Sequence, residues 1–426
     1  MAKKSLSQRD LDCNWHPYTQ HQTSQPPIVI QKGKDALLWD ENGKKYIDAI
    51  GSWWANPHGH CNKQIAKAIA KQAQTLEHVL FGGFSHRWAI ELSEKLLEVL
   101  PKNQSKIFYS DNGSTAVEVA LKMCLQYYLN KGEKKATFIA FENAFHGDTF
   151  GAMAVSGIGL FSEAFKDYFI DVKRIPVPKE DNFKSVETQL ESLLKEGSIA
   201  GFIFEPLVQG AIGMNFYKAK YLDKLLKICK KYKVLTIADE VMTGFSRTGK
   251  LFAIDYLKNK PDLVCLSKAL TGGFLPLAAT SCSQEIYQAF LSEKTEKAFF
   301  HGHTFMANPL GCAAAIESLK ISQKQKTKQK IKGISKIYQD FEKKQNQHPK
   351  IKSMEHLGVI FRLEIQTEEA QSFYSSLRNT LYNYYISKGV ILRPVGNIVY
   401  LLPSYSIKKS ELKKTFEVIL NSLDLV

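Results

Sequence analysis

Thr236-Ile237-Ala238-Asp239-Glu240-Val241 and, further on, Leu266-Ser267-Lys268-Ala269-Leu270-Thr271-Gly272-Gly273 are the stretches whose reading decides this fold. Each places a charge just past a short apolar run. Residues 234–238 and 263–266 are apolar, bounded and rich in β-branched side chains, which is the composition of strands buried on both faces of a parallel sheet. Asp239 and Lys268 then emerge at strand ends, where open α/β sheets bind ligands. A lysine so placed can form a Schiff base, and a buried carboxylate can keep a pyridine nitrogen protonated. Together these describe a pyridoxal phosphate (PLP) site. A lone Asp and a lone Lys are more often an ordinary ion pair at loop ends, so the rest of the chain has to decide.

The chain has 426 residues, more than one hydrophobic core serves, so two or three lobes are expected. Its net charge of +15 arises from 57 Lys and Arg against 42 Asp and Glu, an excess that can mark nucleic-acid or membrane contact. Here the charge is dispersed. The densest stretch, residues 320–336, is Lys/Gln-rich and lacks the aromatics on which single strands stack, so no nucleic-acid partner is expected. Seven scattered cysteines without a Cys-x-x-Cys pair suit reduced thiols in the cytoplasm. His58-Gly59-His60-Cys61 has neither ligand spacing nor a partner cluster, and no metal is expected. No apolar run approaches the roughly 18 to 20 residues that span a bilayer, and no apolar stretch follows Lys3 and Lys4. A soluble, cytoplasmic protein without membrane contact is the expectation.

From the N-terminus, residues 1–26 read as irregular and carry Trp15-His16-Pro17-Tyr18-Thr19, with Pro17 keeping its neighbour out of the helical region. Residues 28–31, 36–40 and 45–48 form a small antiparallel meander that runs into Gly51-Ser52-Trp53-Trp54. Residues 64–76 and 88–97 have helical spacing. A strand at 106–110 leads through Asp111-Asn112-Gly113-Ser114-Thr115 into an apolar helical stripe. Gly113 and Ser114 thus lie at a helix N-terminus, which can cradle a phosphate or simply cap the helix. Strands and helices then alternate to about residue 285, and Glu205, Asp239 and Lys268 fall just past strand ends. Gly244-Phe245-Ser246-Arg247-Thr248-Gly249-Lys250 matches most of a Walker A loop, but Leu251 stands where a hydroxyl must bind magnesium, so that reading is set aside. Thr304, in a polar loop before a small-residue helix, offers a second hydroxyl for a phosphate. Residues 320–348 read as a Lys/Gln-rich helix, followed by strands within 353–365, a helix over 367–387, and strands around Arg393-Pro394. Arg393 can fork a carboxylate.

These residues carry a resemblance. Asp239-Glu240-Val241, Gly244-Phe245-x-Arg247-Thr248-Gly249 and Ser267-Lys268-Ala269-Leu270-Thr271-Gly272-Gly273 resemble the signature of the class III PLP-dependent aminotransferases, over nearly the whole chain. Within that class, Trp15-His16-Pro17-Tyr18-Thr19, Ser52-Trp53-Trp54, Asn112-Gly113-Ser114, His146-Gly147-Asp148-Thr149, Thr304-Phe305-Met306-x-Asn308-Pro309-Leu310 and Arg393-Pro394 are similar to the branch that aminates 8-amino-7-oxononanoate in biotin synthesis. The resemblance implies an α/β protein of fold-type I: a mostly parallel central sheet in a large domain (61–322) and a smaller α+β domain formed by both termini (1–60 and 323–426). It also implies a cytoplasmic homodimer with shared active sites, acting on a keto acid and an amino donor.

By the same resemblance, Lys268 is the Schiff-base lysine and proton shuttle, and Asp239 pairs with the pyridine nitrogen. Val241 and Phe145 cover the two faces of the ring. Gly113 and Ser114 bind the phosphate, while His303 and Thr304 approach it from the partner subunit. Arg393 forks the keto-acid carboxylate, and Tyr18, Trp53, Trp54 and Tyr400 wall a long apolar slot. Trp54 is the better match to the family's substrate-contacting tryptophan. Asp148 receives the donor's cation or supports Asp239, and Glu205 is matched only as Glu-Pro at a strand end. Two departures stand out. Phe145 replaces the tyrosine usual before His-Gly, removing a hydroxyl that could bond the donor. His301-Gly302-His303 departs from the usual loop before Thr304. S-adenosylmethionine is the family's usual donor and lysine serves some relatives; an ω-aminotransferase acting on ornithine or 4-aminobutyrate is the alternative.

Overall fold

The computed structural model describes residues 4–157, 159–367 and 376–426. Its centre is a seven-stranded sheet of β1 (Gln104–Ser110), β2 (Thr137–Phe141), β3 (Val172–Ile175), β4 (Ile199–Phe204), β5 (Leu235–Asp239), β6 (Leu263–Leu266) and β7 (Ala278–Ser283), in the order β1-β7-β6-β5-β4-β2-β3. β7 runs antiparallel to both its neighbours, and the other pairings given for β2 to β6 are parallel. The continuous apolar runs have the meaning the sequence suggested. Ile139 and Phe141 pack into one core while Phe138 and Ala140 pack into another; Ala238 and Ile237 divide in the same way. A strand buried on both faces has no polar side to alternate with.

Helix α1 (Gly113–Asn130) lies against β6 and β7, and α2 (Pro309–Gln323) packs on the helices Lys63–Ala73 and Arg87–Val99. The meander forms as expected from Ile30–Lys34, Leu37–Asp40 and Lys45–Asp48, although its first strand continues through Lys32 and Gly33. Val390–Ile391, from near the C-terminus, adds a parallel strand beside Lys45–Asp48, so one sheet joins both ends of the chain. A second antiparallel sheet comprises Ile351–Leu357, Ile360–Ile365 and Ile398–Leu401.

Two expectations change, and a third falls partly outside the described residues. Residues within 1–26 are not all irregular: Leu6–Cys13 is a helix, and the Ser5 hydroxyl accepts from the Gln8 amide at 3.1 Å. It buries no residue, so no apolar stripe revealed it. The Lys/Gln-rich stretch is divided, because Lys324 is extended and separates α2 from α3 (Gln325–Gln345). Of the helix expected over 367–387, Ser376–Ser387 is helical and residues 368–375 lie outside the described residues. Among the described residues, no helix is long and apolar enough to cross a membrane.

Candidate active site

The parallel register sets Asp239 beside Cys265, so the chain past β6 delivers Lys268 next to the end of β5. Lys268 opens a short 3₁₀ turn, Lys268–Thr271, with φ at +46°. A positive φ in a non-glycine residue is uncommon and concentrates at functional sites. Burial pulls the pKa of Lys268 down, against the upward pull of Asp239 and Glu205, and Arg247 lowers it further. A buried amine so balanced reaches its neutral, nucleophilic form more easily than an exposed one.

Asp239 is itself buried. One carboxylate oxygen accepts from the Val241 amide at 3.1 Å, and the other faces His146 Nδ1 at 2.7 Å. With Asp239 ionised, His146 carries its proton on Nδ1, and its buried Nε2 has no partner among the described residues. Glu205 accepts from the amides of Phe145 at 3.0 Å and Gly210 at 2.8 Å, and burial pushes its carboxyl up to about 7.

Close by is the start of α1. The Asn112 side chain accepts from the Thr115 amide and the Asn112 carbonyl from that of Ala116, which leaves the first helical amides, Gly113 and Ser114, for an anion. Two glycines keep this cradle open. A Cβ on Gly113 would lie 2.7 Å from Val241 Cγ1, and one on Gly147, where φ is +137°, would lie 2.3 Å from Ser114 Oγ. Ser114 Oγ accepts from the Thr149 amide at 2.9 Å.

Beyond the lysine is an aromatic wall. Lys268 Nζ sits 4.7 Å from the Trp54 ring centroid, Trp54 meets Tyr400 edge-on at 6.2 Å, and the Arg393 guanidinium lies 4.6 Å over Trp53. Tyr18 packs 5.6 Å from Trp53 and 5.4 Å from Phe161, which meets Phe145 at 6.1 Å; the Tyr18 hydroxyl donates to Asp148. Both tryptophans stand on a left-handed turn: φ is +57° at Gly51, +45° at Ser52, +64° at Trp53 and +73° at Trp54. Each of the three non-glycine residues costs about 1 to 2 kcal/mol in this conformation, so the turn needs support from outside itself.

Most of the residues singled out from sequence therefore meet around Lys268. Asp148 contacts Tyr18, and the partner of Asp239 is His146, so Asp148 does not support Asp239 by a direct hydrogen bond. Trp54 is buried and packs on the lysine, while Trp53 is the partly exposed tryptophan beside Arg393. Thr304 is exposed and makes no hydrogen bond among the described residues; His303 Nδ1 lies 3.5 Å from Asp111. Sequence reasoning passed over the work of Arg247. Its fully buried guanidinium donates to the carbonyls of Trp54 at 2.7 Å and Pro403 at 2.8 Å. A charge enclosed by glycine and apolar residues in Gly244-Phe245-Ser246-Arg247 was the available clue. Phe161 gave no such clue.

The comparisons with known proteins agree with this geometry. A family model described as Aminotransferase class-III matches residues 18–423. Adenosylmethionine-8-amino-7-oxononanoate aminotransferase of Synechococcus elongatus is 40% identical over 96% of this chain and 98% of its own, and that of Staphylococcus aureus is 38% identical over 96% and 95%. The crystal structure of the enzyme of that name from Methanocaldococcus jannaschii superimposes with a TM-score of 0.93 at 35% identity, covering 99% of each chain. An ω-transaminase of Pseudomonas jessenii in complex with PMP gives 0.90 at 27% identity, over 99% of this chain and 98% of its own. Strand order, buried lysine and full-length similarity lead to one assignment: this chain is a fold-type I, PLP-dependent enzyme and belongs to the class III aminotransferases.

Proposed function

We propose that the protein transfers an amino group to 8-amino-7-oxononanoate, giving 7,8-diaminononanoate for biotin synthesis, with S-adenosylmethionine as donor. The observation that carries this reading is the aromatic slot: Trp54 on Lys268 and Trp53 under Arg393 join the reacting amine to a carboxylate fork along an apolar wall. A keto acid with a long methylene chain and a terminal carboxylate fits such a path. The names of the relatives support the same substrate.

The residues fit PLP on their own evidence. The open cradle at Gly113 and Ser114 suits its phosphate, and Asp239 keeps acceptor capacity for a ring nitrogen while His146 and the Val241 amide hold it in place. When bound, PLP supplies an electron sink for the pair left as the amine's Cα–H bond breaks. Lys268 Nζ anchors it and then moves the proton from that carbon. Asp239 keeps the ring nitrogen protonated. Val241 and Phe145 flank the ring. Arg393 fixes the keto-acid carboxylate so that the carbonyl would face the amino group the cofactor carries, where Lys268 can move the proton, with Tyr18, Trp53, Trp54 and Tyr400 excluding water from the chain. Asp148, faced by the Tyr18 hydroxyl, receives the cationic end of the donor.

The chain acts as a cytoplasmic homodimer in which Thr304 and His303 complete the partner's phosphate site. Exposed Phe300 and Phe305 lie close to Thr304 in sequence, Phe305 packs on His78, and the segment after His78 adds exposed Leu80 and Phe84, apolar side chains suited to contact with a second copy. A second donor, lysine, is favoured by one observation: Phe145 brings no hydroxyl to a group that would be bonded through it. Half-reactions test both. The PLP-loaded enzyme is mixed with S-adenosylmethionine, lysine or ornithine while the visible band of the Lys268-linked cofactor is followed. S-adenosylmethionine is expected to discharge it and 8-amino-7-oxononanoate to restore it. Discharge by ornithine alone would overturn the substrate assignment.

A further inference from the structure

The left-handed turn that carries Trp53 and Trp54 is clamped from both ends. On one side Asp48, almost wholly buried, turns one oxygen to the amides of Ile50 at 3.3 Å and Ser52 at 3.1 Å, and the other to Ser52 Oγ and His60 Nε2, each at 2.8 Å. The Asn56 side-chain amide donates to His60 Nδ1 at 2.9 Å, which leaves the His60 proton on Nε2, aimed at Asp48. Burial raises the Asp48 carboxyl, but the hydrogen bonds from His60 and Ser52 outweigh it and hold the group below the ordinary aspartate value. On the other side, Arg247 holds the Trp54 carbonyl, and a Cβ on Gly51 would lie 3.0 Å from the Leu402 carbonyl.

None of Asp48, His60 or Asn56 belongs to the Lys268 cluster, yet together they fix the conformation that sends Trp53 under Arg393. We propose that Asp48, oriented by His60 and Asn56, is a positioning residue for substrate-carboxylate recognition: it holds the Ser52-Trp53-Trp54 turn against its own strain so that Trp53 supports the Arg393 fork. With asparagine at position 48 one oxygen still accepts from the Ser52 amide, but the NH2 opposes the Ser52 hydroxyl and the His60 proton, so the clamp opens, the turn relaxes towards right-handed backbone, and the Arg393 guanidinium loses the ring that fixes its plane. A planar, bidentate fork depends on that plane more than a point charge would.

The inference rests on the proposed role of Arg393, and the experiment separates the two. PLP-loaded wild type, Asp48→Asn, Ser52→Ala and Arg393→Ala are compared in two measurements: the half-saturating concentration of 8-amino-7-oxononanoate against the rate at saturation, and calorimetric titration with heptanoate, a carboxylate that cannot react. Asp262→Asn is the control for general destabilisation. Asp262 accepts from the Thr236 amide and hydroxyl at the far end of β5, away from the turn. Asp48→Asn is expected to raise the half-saturating keto-acid concentration and the heptanoate Kd by tenfold or more, with the saturated rate changed less than threefold. Ser52→Ala, which keeps the carboxylate and removes one of its bonds, is expected to raise both by two- to fivefold. Asp262→Asn is expected to lower the melting temperature and leave both constants unchanged. If Arg393→Ala weakens heptanoate but Asp48→Asn does not, the positioning role is overturned while the fork stands. Should Asp48→Asn fail to fold, unchanged constants in Ser52→Ala overturn it equally. If Arg393→Ala binds heptanoate as wild type does, the fork assignment falls and takes this inference with it.

Discussion

Replacing Gly113 by alanine tests the cradle at its narrowest point. The added methyl would stand 2.7 Å from Val241 Cγ1 and 3.1 Å from Cγ2, where carbon atoms at rest keep about 3.5 to 4.0 Å apart. Val241 is buried, so relief requires it to move by roughly 1 Å or to leave its rotamer, and overpacking of that kind costs about 1 to 3 kcal/mol. Expressed in the cofactor-bound state, the cost is a factor of about 5 to 150 in the PLP dissociation constant. The assay is titration of dialysed apoenzyme with PLP, read by the absorbance of the lysine-linked cofactor, for wild type, Gly113→Ala, Val241→Ala and the double variant. Because Val241→Ala removes both γ carbons and leaves the remaining Cβ 3.4 Å from the new methyl, the double variant is expected to recover much of the loss. A coupling of about 1 kcal/mol or more identifies the clash. Strictly additive losses, or a Gly113→Ala enzyme that binds PLP within twofold of wild type, would refute the steric reading of the cradle.

Lys268→Ala is expected to retain PLP through its phosphate and ring contacts but to show no lysine-linked band and no turnover; substantial ping-pong activity would contradict the role given to Lys268. Removing the Arg247 side chain with Arg247→Ala strands two buried carbonyls, and at about 1 to 3 kcal/mol for each the variant should lose about 2 to 6 kcal/mol in urea unfolding; a loss below 1 would argue against the clamp. For Glu205, burial lifts the carboxyl to about 7, so the folded chain holds a proton that the unfolded chain releases, and stability falls as pH rises from about 4.5 to about 7. A shift of that size is worth about 3 kcal/mol, so Glu205→Gln should flatten apoenzyme stability between pH 5 and 8, whereas parallel curves would show that the carboxyl titrates normally. Sedimentation should find a dimer, and Thr304→Ala should weaken PLP without dissociating it; a monomeric wild type would remove the shared site.

The order of legibility follows the range of the forces involved. Residues 234–238 and 263–266 announced themselves because a strand covered on both faces needs an uninterrupted apolar run, and that is a local property of the chain. The positions of Asp239 and Lys268 at strand ends followed from it, as did the helix start at Gly113. The helix Leu6–Cys13 was missed because it buries nothing, leaving only the Ser5 cap to mark it. The left-handed turn at 51–54 was missed for the opposite reason. Asp48 bonds it from four residues away, but Arg247 reaches it from a loop far along the sequence, and local propensity argues against three positive φ values in Ser-Trp-Trp. The link from His146 to Asp239 likewise joins residues far apart in sequence and has no local signature.

The long-range contacts also explain how a buried site can carry so much charge. Asp239, Glu205 and Arg247 are buried and all three act electrostatically on Lys268. Arg247 is fixed as a cation by its chemistry, and its hydrogen bonds go to carbonyls, so it adds positive potential without neutralising a carboxylate. That potential lowers Lys268, while Asp239 and Glu205 raise it. Burial lifts the Glu205 carboxyl to about 7, so it takes up and releases a proton around neutral pH. Each proton it takes up withdraws a negative charge from the surroundings of Lys268 and so favours the neutral amine that attack and proton abstraction both require. Asp239, held by His146 and the Val241 amide, keeps its acceptor geometry through that exchange. The strand ends thus bring together a carboxylate anchored by hydrogen bonds, a carboxyl poised to titrate, and an amine whose proton affinity follows the second while the first serves the ring.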